Sequence, residues 1–321
     1  MVEEKKKSAL EKFVSTYFSN LGKLALVNLI FAVPACVAVA ACYLICRYLV
    51  PQATTFILPL SIIFASPFFA GVVVLCRSIL FDSDTDNLLK RFMSAVKENF
   101  KAFIIHGVIT YVAVVGCYHG ILIYNQLAKA MGFLYVMLII SVLLALFVLF
   151  FLYSIYMMSA FFDLGIKNVY KNGLLMTFGE LKNNFLATFG MVGYLLVVSL
   201  PVMLFLALAY LWGPVPTAIV IAVYVIAAFV FLVPSGLTSI MVYVIYPDMK
   251  RVISGEARNT IEAMRKEEEI MAEIKAEESA DDTIDISIED LEKNADEYIF
   301  YKGKMMKKSA LISKLKESED V

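Results

Sequence analysis

The chain has 321 residues, 60% of them hydrophobic and 18% charged, with a mean hydropathy of +0.77. This is too apolar for one or two water-soluble domains, whose apolar share lies nearer half, so the composition indicates a membrane protein. The net charge of −1 averages two unlike regions: residues 1–253 carry 17 Lys/Arg against 10 Asp/Glu, whereas 254–321 carry 11 against 19.

At the N-terminus, Leu10, Phe13, Val14, Tyr17, Phe18 and Leu21 recur at helical spacing opposite Lys5, Lys6, Lys7 and Lys12, which predicts an interfacial amphipathic helix over about 8–21. The lysine-rich start resembles the charged region of a signal peptide, but no small-residue cleavage site follows a short apolar run, so the first apolar stretch is expected to stay in the mature protein. Spans are predicted over about 24–49 and 56–79, joined by a tight turn at Pro51–Thr55. A second amphipathic segment, about 87–101, enters a third span over about 102–126. The fourth span, about 132–162, would measure roughly 46 Å at about 1.5 Å per residue, longer than the ~30 Å hydrocarbon core, so it should tilt or project beyond it. A third amphipathic segment, about 172–185, leads into spans over about 186–212 and 215–246, the last interrupted by Pro234-Ser235-Gly236. Asn20, Asn99 and Asn184 mark three comparable elbows, 79 and 85 residues apart, which suggests one unit used three times. The middle elbow, Val96 to Phe100, holds Lys97 and Asn99, and the third holds Lys182 and Asn184.

The expected fold is therefore all-α. Residues 1–253 form a polytopic bundle of six transmembrane helices in three hairpins, each preceded by a cytoplasmic amphipathic helix, and 254–321 form an acidic, partly helical tail. Of the 17 basic residues of the bundle, 15 fall in the N-terminus, the elbow loops and the Lys250-Arg251 exit, with only Arg47 and Lys129 opposite, which places both termini in the cytoplasm. In the tail, Glu256–Glu278 reads as a solvated helix or a short coiled coil with a partner, Asp281–Asp285 as a break, and Ser287 with Asp290 as a helix start. Tyr298–Lys308 reads as a small hairpin, a frayed end, or a surface touching the membrane or a partner.

Ion and proton pathways through lipid need ionisable side chains within the spans, and the span centres contain no Asp, Glu, Lys or Arg. This opposes a proton-coupled antiporter, a charge-lined channel and a voltage sensor. Milder polar residues remain, among which Asn28, His106, Tyr111 and Ser235 are the candidates for a cavity or for interhelical bonding. His106 and His119 lie 13 residues apart on one helix, about 20 Å along its axis, and cannot share a metal. Pro34, Pro67, Pro201 and Pro234 interrupt four spans, a pattern found both around transporter cavities and in inert bundles. The five cysteines lie in apolar runs without ligand spacing. No nucleotide-binding, zinc-protease or serine-hydrolase motif appears, so no catalytic residue, metal or cofactor is expected. Near the membrane surface, Asp163 is expected to form a structural ion pair with Arg77 or an elbow lysine.

The stretches SPFFAGVVVLCR (66–77), AVKENFKAFIIHGVI (95–109), FFDLGIKNVYKNGLL (161–175) and VYVIYPDMKRVI (242–253), with NLIFAVP of the first span, resemble the YesL-type family of bacterial integral membrane proteins over about 30–250. The loop FDSDTDNLLKR (81–91) departs from the more aromatic approach expected there, and the acidic tail lies outside the resemblance. The resemblance implies a polytopic protein of a bacterial, Gram-positive plasma membrane, some members of which accompany carbohydrate uptake and breakdown systems, and it supplies no catalytic residues. Together these readings lead to a non-enzymatic membrane component assisting solute transport, with the lipid bilayer and a transporter or other membrane protein as partners, the tail open to protein contacts, and no nucleic acid. The alternative is a self-sufficient transporter or lipid-handling protein with a neutral polar cavity between proline-broken helices.

Overall fold

A computed structural model describes residues 8–82, 87–253, 297–301 and 304–319. The predicted tail features between Glu256 and Asp290 lie outside these residues. What is described is almost wholly helical, with six apolar stretches long enough to cross a membrane: Leu21–Tyr48, Pro51–Asp82, Leu88–Ala130, Gly132–Phe161, Leu181–Leu208 and Pro214–Phe231.

Helix α1 (Ala9–Ser19) opens with a reciprocal cap: the Glu11 N–H donates to the Ser8 hydroxyl at 3.2 Å and the Ser8 N–H to the Glu11 carboxylate at 2.8 Å. Asn20 ends α1 by donating its side-chain amide to the Thr16 carbonyl, and α2 (Leu21–Tyr48) starts at once in a new direction. Pro34 is absorbed inside α2 without a break. A turn and the short α3 (Thr54–Ile57) lead to α4 (Ser61–Arg77), which contains Pro67 and closes in a wider π-type turn, Ser78–Asp82. Next come α5 (Leu88–Ala130), α6 (Tyr135–Phe161), α7 (Ile166–Gly179) and α8 (Leu181–Trp212), the last with Pro201 inside it. The final apolar stretch is divided into α9 (Pro214–Phe231) and α10 (Val233–Ile253) at Leu232. Of the four prolines expected to interrupt spans, only Pro234 accompanies such a division.

The elbows differ from the expected uniform set. The first and third are true breaks, between α1 and α2 and between α7 and α8, but the middle one is not: α5 runs unbroken through Val96–Phe100 for 43 residues. The Asn99 amide donates to the Ala95 carbonyl four residues back, the same bond that Asn20 makes to Thr16, so this bond does not decide whether the helix ends or continues.

Packing is concentrated at the end of the bundle that holds both described termini. There α4 lies along α5 in the most extensive contact of the molecule, flanked by α2, α6 and α10. One cluster joins Phe150–Phe162 of α6 to Val242, Ile245 and Met249 of α10, and a second joins Tyr17 of α1 and Leu24, Val27 and Phe31 of α2 to Val72, Phe92 and Val96. At the other end, α6 exposes Val136, Ile139, Ile140, Leu143 and Leu144, and α8 exposes Leu196, Val197, Leu200 and Leu204. The hairpins α5–α6 and α8–α9 thus rise from a filled base with apolar faces turned outward.

The chain's last described piece is a hairpin of β1 (Tyr298–Tyr301) and β2 (Lys304–Lys307), followed by α11 (Lys308–Glu319). Of the readings open for Tyr298–Lys308, the hairpin is the one that forms. Met305 pairs in parallel with Phe162, where α6 ends, and the Asp163 N–H donates to the Met305 carbonyl at 3.4 Å.

The α4–α5 seam is close because its residues are small. A Cβ on Gly107 would stand 2.8 Å from the Ser66 Cβ and 3.1 Å from the Ile63 Cα, so a backbone would have to move. Gly107→Ala should therefore destabilise the detergent-solubilised protein by about 1–3 kcal/mol, the usual cost of overpacking. Gly116→Ala and Gly120→Ala, where nothing lies within 4 Å, should leave the thermal midpoint unchanged or slightly raised.

Candidate functional site

The buried polar groups of the apolar helices gather in two places, both in the packed half. The first centres on His106, fully buried on α5. Its Nδ1 is 2.7 Å from the Tyr170 hydroxyl of α7 and its Nε2 is 2.6 Å from the Ser159 hydroxyl of α6. Beside it, the Tyr156 hydroxyl lies 2.8 Å from the Thr110 hydroxyl and 3.2 Å from the Ser66 hydroxyl, and Ser66 donates to the Phe103 carbonyl at 2.7 Å. Four helices are thereby tied through one aromatic-walled network, with the rings of Phe103, Tyr156 and Tyr170 packed around the imidazole.

Ser159 and His106 have the separation of a nucleophile and its base, a pairing the sequence motifs did not reveal. The third group gives the arrangement its sense. Burial, aided by neighbouring Tyr156, pushes the Tyr170 hydroxyl up to about 12, so it stays a phenol, which can either donate to Nδ1 or accept from it. In either neutral tautomer the imidazole donates through one ring nitrogen and accepts through the other, so both hydroxyl contacts are satisfied. Ser159 itself sits inside α6, where its backbone N–H is already engaged, and the contacts tie α5 to α6 and α7. The geometry is that of a structural brace.

The second place is the division of the last apolar stretch. The Ser235 N–H donates to Asn28 Oδ1 of α2 at 2.6 Å, so Asn28 caps the start of α10 from another helix. Tyr194 of α8 donates to the Leu232 carbonyl at 3.0 Å, and its hydroxyl also lies 3.1 Å from that of Tyr17 on α1. Gly236 permits this approach, since a Cβ there would fall 2.3 Å from the Tyr194 ring and hydroxyl. Cys76 Sγ of α4 completes the set, 3.7 Å from the Ser235 carbonyl.

The four proposed cavity residues therefore do not share one cavity. Asn28 and Ser235 bond to each other, His106 belongs to the other network, and Tyr111 is half-buried one turn beyond it. An apolar cavity of about 190 Å³ lies between Tyr153 and Tyr156 of α6, Met191 of α8, and Leu237 and Met241 of α10, and touches none of the four.

The elbow residues, with Asp163 and Arg77, read together as a candidate cytoplasmic interface, divide similarly. Lys97, Lys182 and Asp163 are exposed, whereas Asn99 and Asn184 are buried. Arg77 is almost wholly buried: it donates to both carboxylate oxygens of Asp82, at 3.0 and 2.8 Å, and lies over the rings of Phe161 and Tyr246 at 5.8 and 5.4 Å. Its carboxylate partner comes from the turn ending its own helix, five residues on. Near the third elbow, Asn183 bridges Glu180 and Asp248, and Asp248 also receives Arg251. Among the described residues no group of three or more His, Cys, Asp or Glu side chains could hold a metal. No protein-family model, curated protein or solved structure matches this chain.

Two outcomes follow from the His106 brace. His106→Leu should leave the buried Ser159 hydroxyl and the half-buried Tyr170 hydroxyl without their partner and lower stability by about 1–3 kcal/mol, read as a fall in the thermal midpoint in detergent. Because Tyr170 is held as a phenol in the folded state, its contribution is complete below pH 10, the ordinary tyrosine range, and is lost as pH rises towards about 12. Tyr170→Phe should flatten the fall in thermal midpoint over that window.

Proposed function

We propose that the chain is a non-enzymatic, multi-pass component of a bacterial plasma membrane, with both termini cytoplasmic, that assists a solute-transport assembly. The observation carrying this reading is the division of the bundle into a filled, internally braced base and two hairpins whose apolar faces stand unpartnered. A protein that moved solute by itself through a neutral polar cavity would concentrate Asn28, His106, Tyr111 and Ser235 around open space; here Asn28, His106 and Ser235 tie helices together and Tyr111 stands apart from them. A protein that docks beside another membrane protein needs a rigid base and apolar helix faces. The resemblance to the YesL-type family supplies the transport class, carbohydrate uptake, as part of the same proposal.

The basic elbows give the base its orientation. Exposed Lys97 and Lys182 lie near the exposed apolar side chains of Phe100 and Phe185, an arrangement suited to anionic head groups above and acyl chains below. Only two of the three amphipathic segments are separate helices, so the proposed collar consists of α1, α7 and the first turns of α5. A second reading, lipid handling, is favoured by one feature: the cavity between α6, α8 and α10 is apolar.

Two measurements test the proposal. Purification in lipid nanodiscs from the native membrane should recover a stoichiometric transporter subunit; recovery of this chain alone would defeat the accessory role. Tags fused to each terminus should both resist protease in intact cells stripped of their walls and become sensitive on permeabilisation, and digestion of either in intact cells would overturn the orientation.

A further inference from the structure

The division between α9 and α10 leaves polar groups that the protein alone does not satisfy. The amide orientation of Asn28 is fixed, since its Oδ1 receives the Ser235 N–H; its Nδ2 therefore points elsewhere, and it meets no acceptor. The Ser235 hydroxyl is also without a partner, and the Ser239 hydroxyl meets only the weakly accepting Cys76 thiol. All three side chains are at most 1% exposed. Ser235 and Ser239 are four residues apart and lie on one face of α10, with the Cys76 thiol beside both. Unsatisfied groups of this kind are costly in a low-dielectric interior, where no bulk solvent can reach them.

We propose that this polar cluster at the start of α10 is a binding site for ordered water, held by Asn28 Nδ2 and the hydroxyls of Ser235 and Ser239. The chemistry selects water over an ion. Asn28 can only donate from its free nitrogen, whereas each serine can donate or accept, and a molecule that both accepts and donates completes all three. No charged side chain belongs to the group, so a bound ion would keep its full desolvation penalty. About three bonds is the usual complement of a buried water. The site joins α2, α4 and α10 where the last apolar stretch is divided, and it does not depend on the transport role.

Radiolysis with a brief X-ray pulse tests this, because hydroxyl radicals formed from a bound water oxidise the side chains beside it. In the full chain in nanodiscs, Cys76 should be oxidised well above Cys42, which is also buried but lies outside the group. Asn28→Leu should reduce Cys76 oxidation several-fold with Cys42 unchanged. Ser239→Ala, which removes a single oxygen, should do the same and serves if the first variant fails to fold. Cys76 oxidation no greater than that of Cys42, or undiminished in both variants, would overturn the site. Exchange into bromide with a heavy-atom peak at the Asn28 amide would overturn water as the ligand.

Discussion

The bundle depends on how closely α4 and α5 approach. Ser66 reaches the Phe103 carbonyl only because Gly107 presents no side chain there, and the same approach brings Tyr156 within reach of both Ser66 and Thr110. In lipid, apolar side chains gain little by leaving one apolar surrounding for another, so helix association rests on close packing and on hydrogen bonds that need it. Small residues at the seam provide the first, and the network around His106 provides the second. The filled base is the result of both acting on the same few turns.

That constraint also explains why the polar residues of this chain are braces. Each tie joins helices distant in sequence: Asn28 to Ser235, Tyr17 to Tyr194, His106 to Ser159 and Tyr170. Arg77 is treated likewise, its charge neutralised by Asp82 and its plane covered by two aromatic rings. A guanidinium so enclosed organises the turn that ends α4 and leaves the basic surface to exposed lysines such as Lys97 and Lys182.

The apolar stretches were legible from sequence because length and hydropathy are properties of the chain alone, and the six predicted spans overlap the six observed. Asn28 and His106 stood out for the same reason, as polar residues in apolar surroundings. Their partners did not. Ser159, Tyr170 and Tyr194 are ordinary residues for their helices, and nothing in one dimension says which of them faces the imidazole or the helix division. The middle elbow misled because an asparagine before an apolar run has the same pattern, and makes the same bond four residues back, whether the helix ends there, as at Asn20, or continues, as at Asn99. The alternative that Asp163 would meet Arg77 overlooked Asp82, which the π-type turn swings back toward the guanidinium.

The continuity of α5 has a mechanical consequence. At about 1.5 Å per residue, its 43 residues make a rod of roughly 65 Å. Pivoted near its packed first turns, such a rod converts a tilt of about 5° into a displacement of about 6 Å at the far tip, with no hinge along its length to absorb the motion. The α8–α9 hairpin has a joint on either side, at Glu180 and Leu232, and can yield where α5 must swing. One arm is a stiff lever and the other a jointed one.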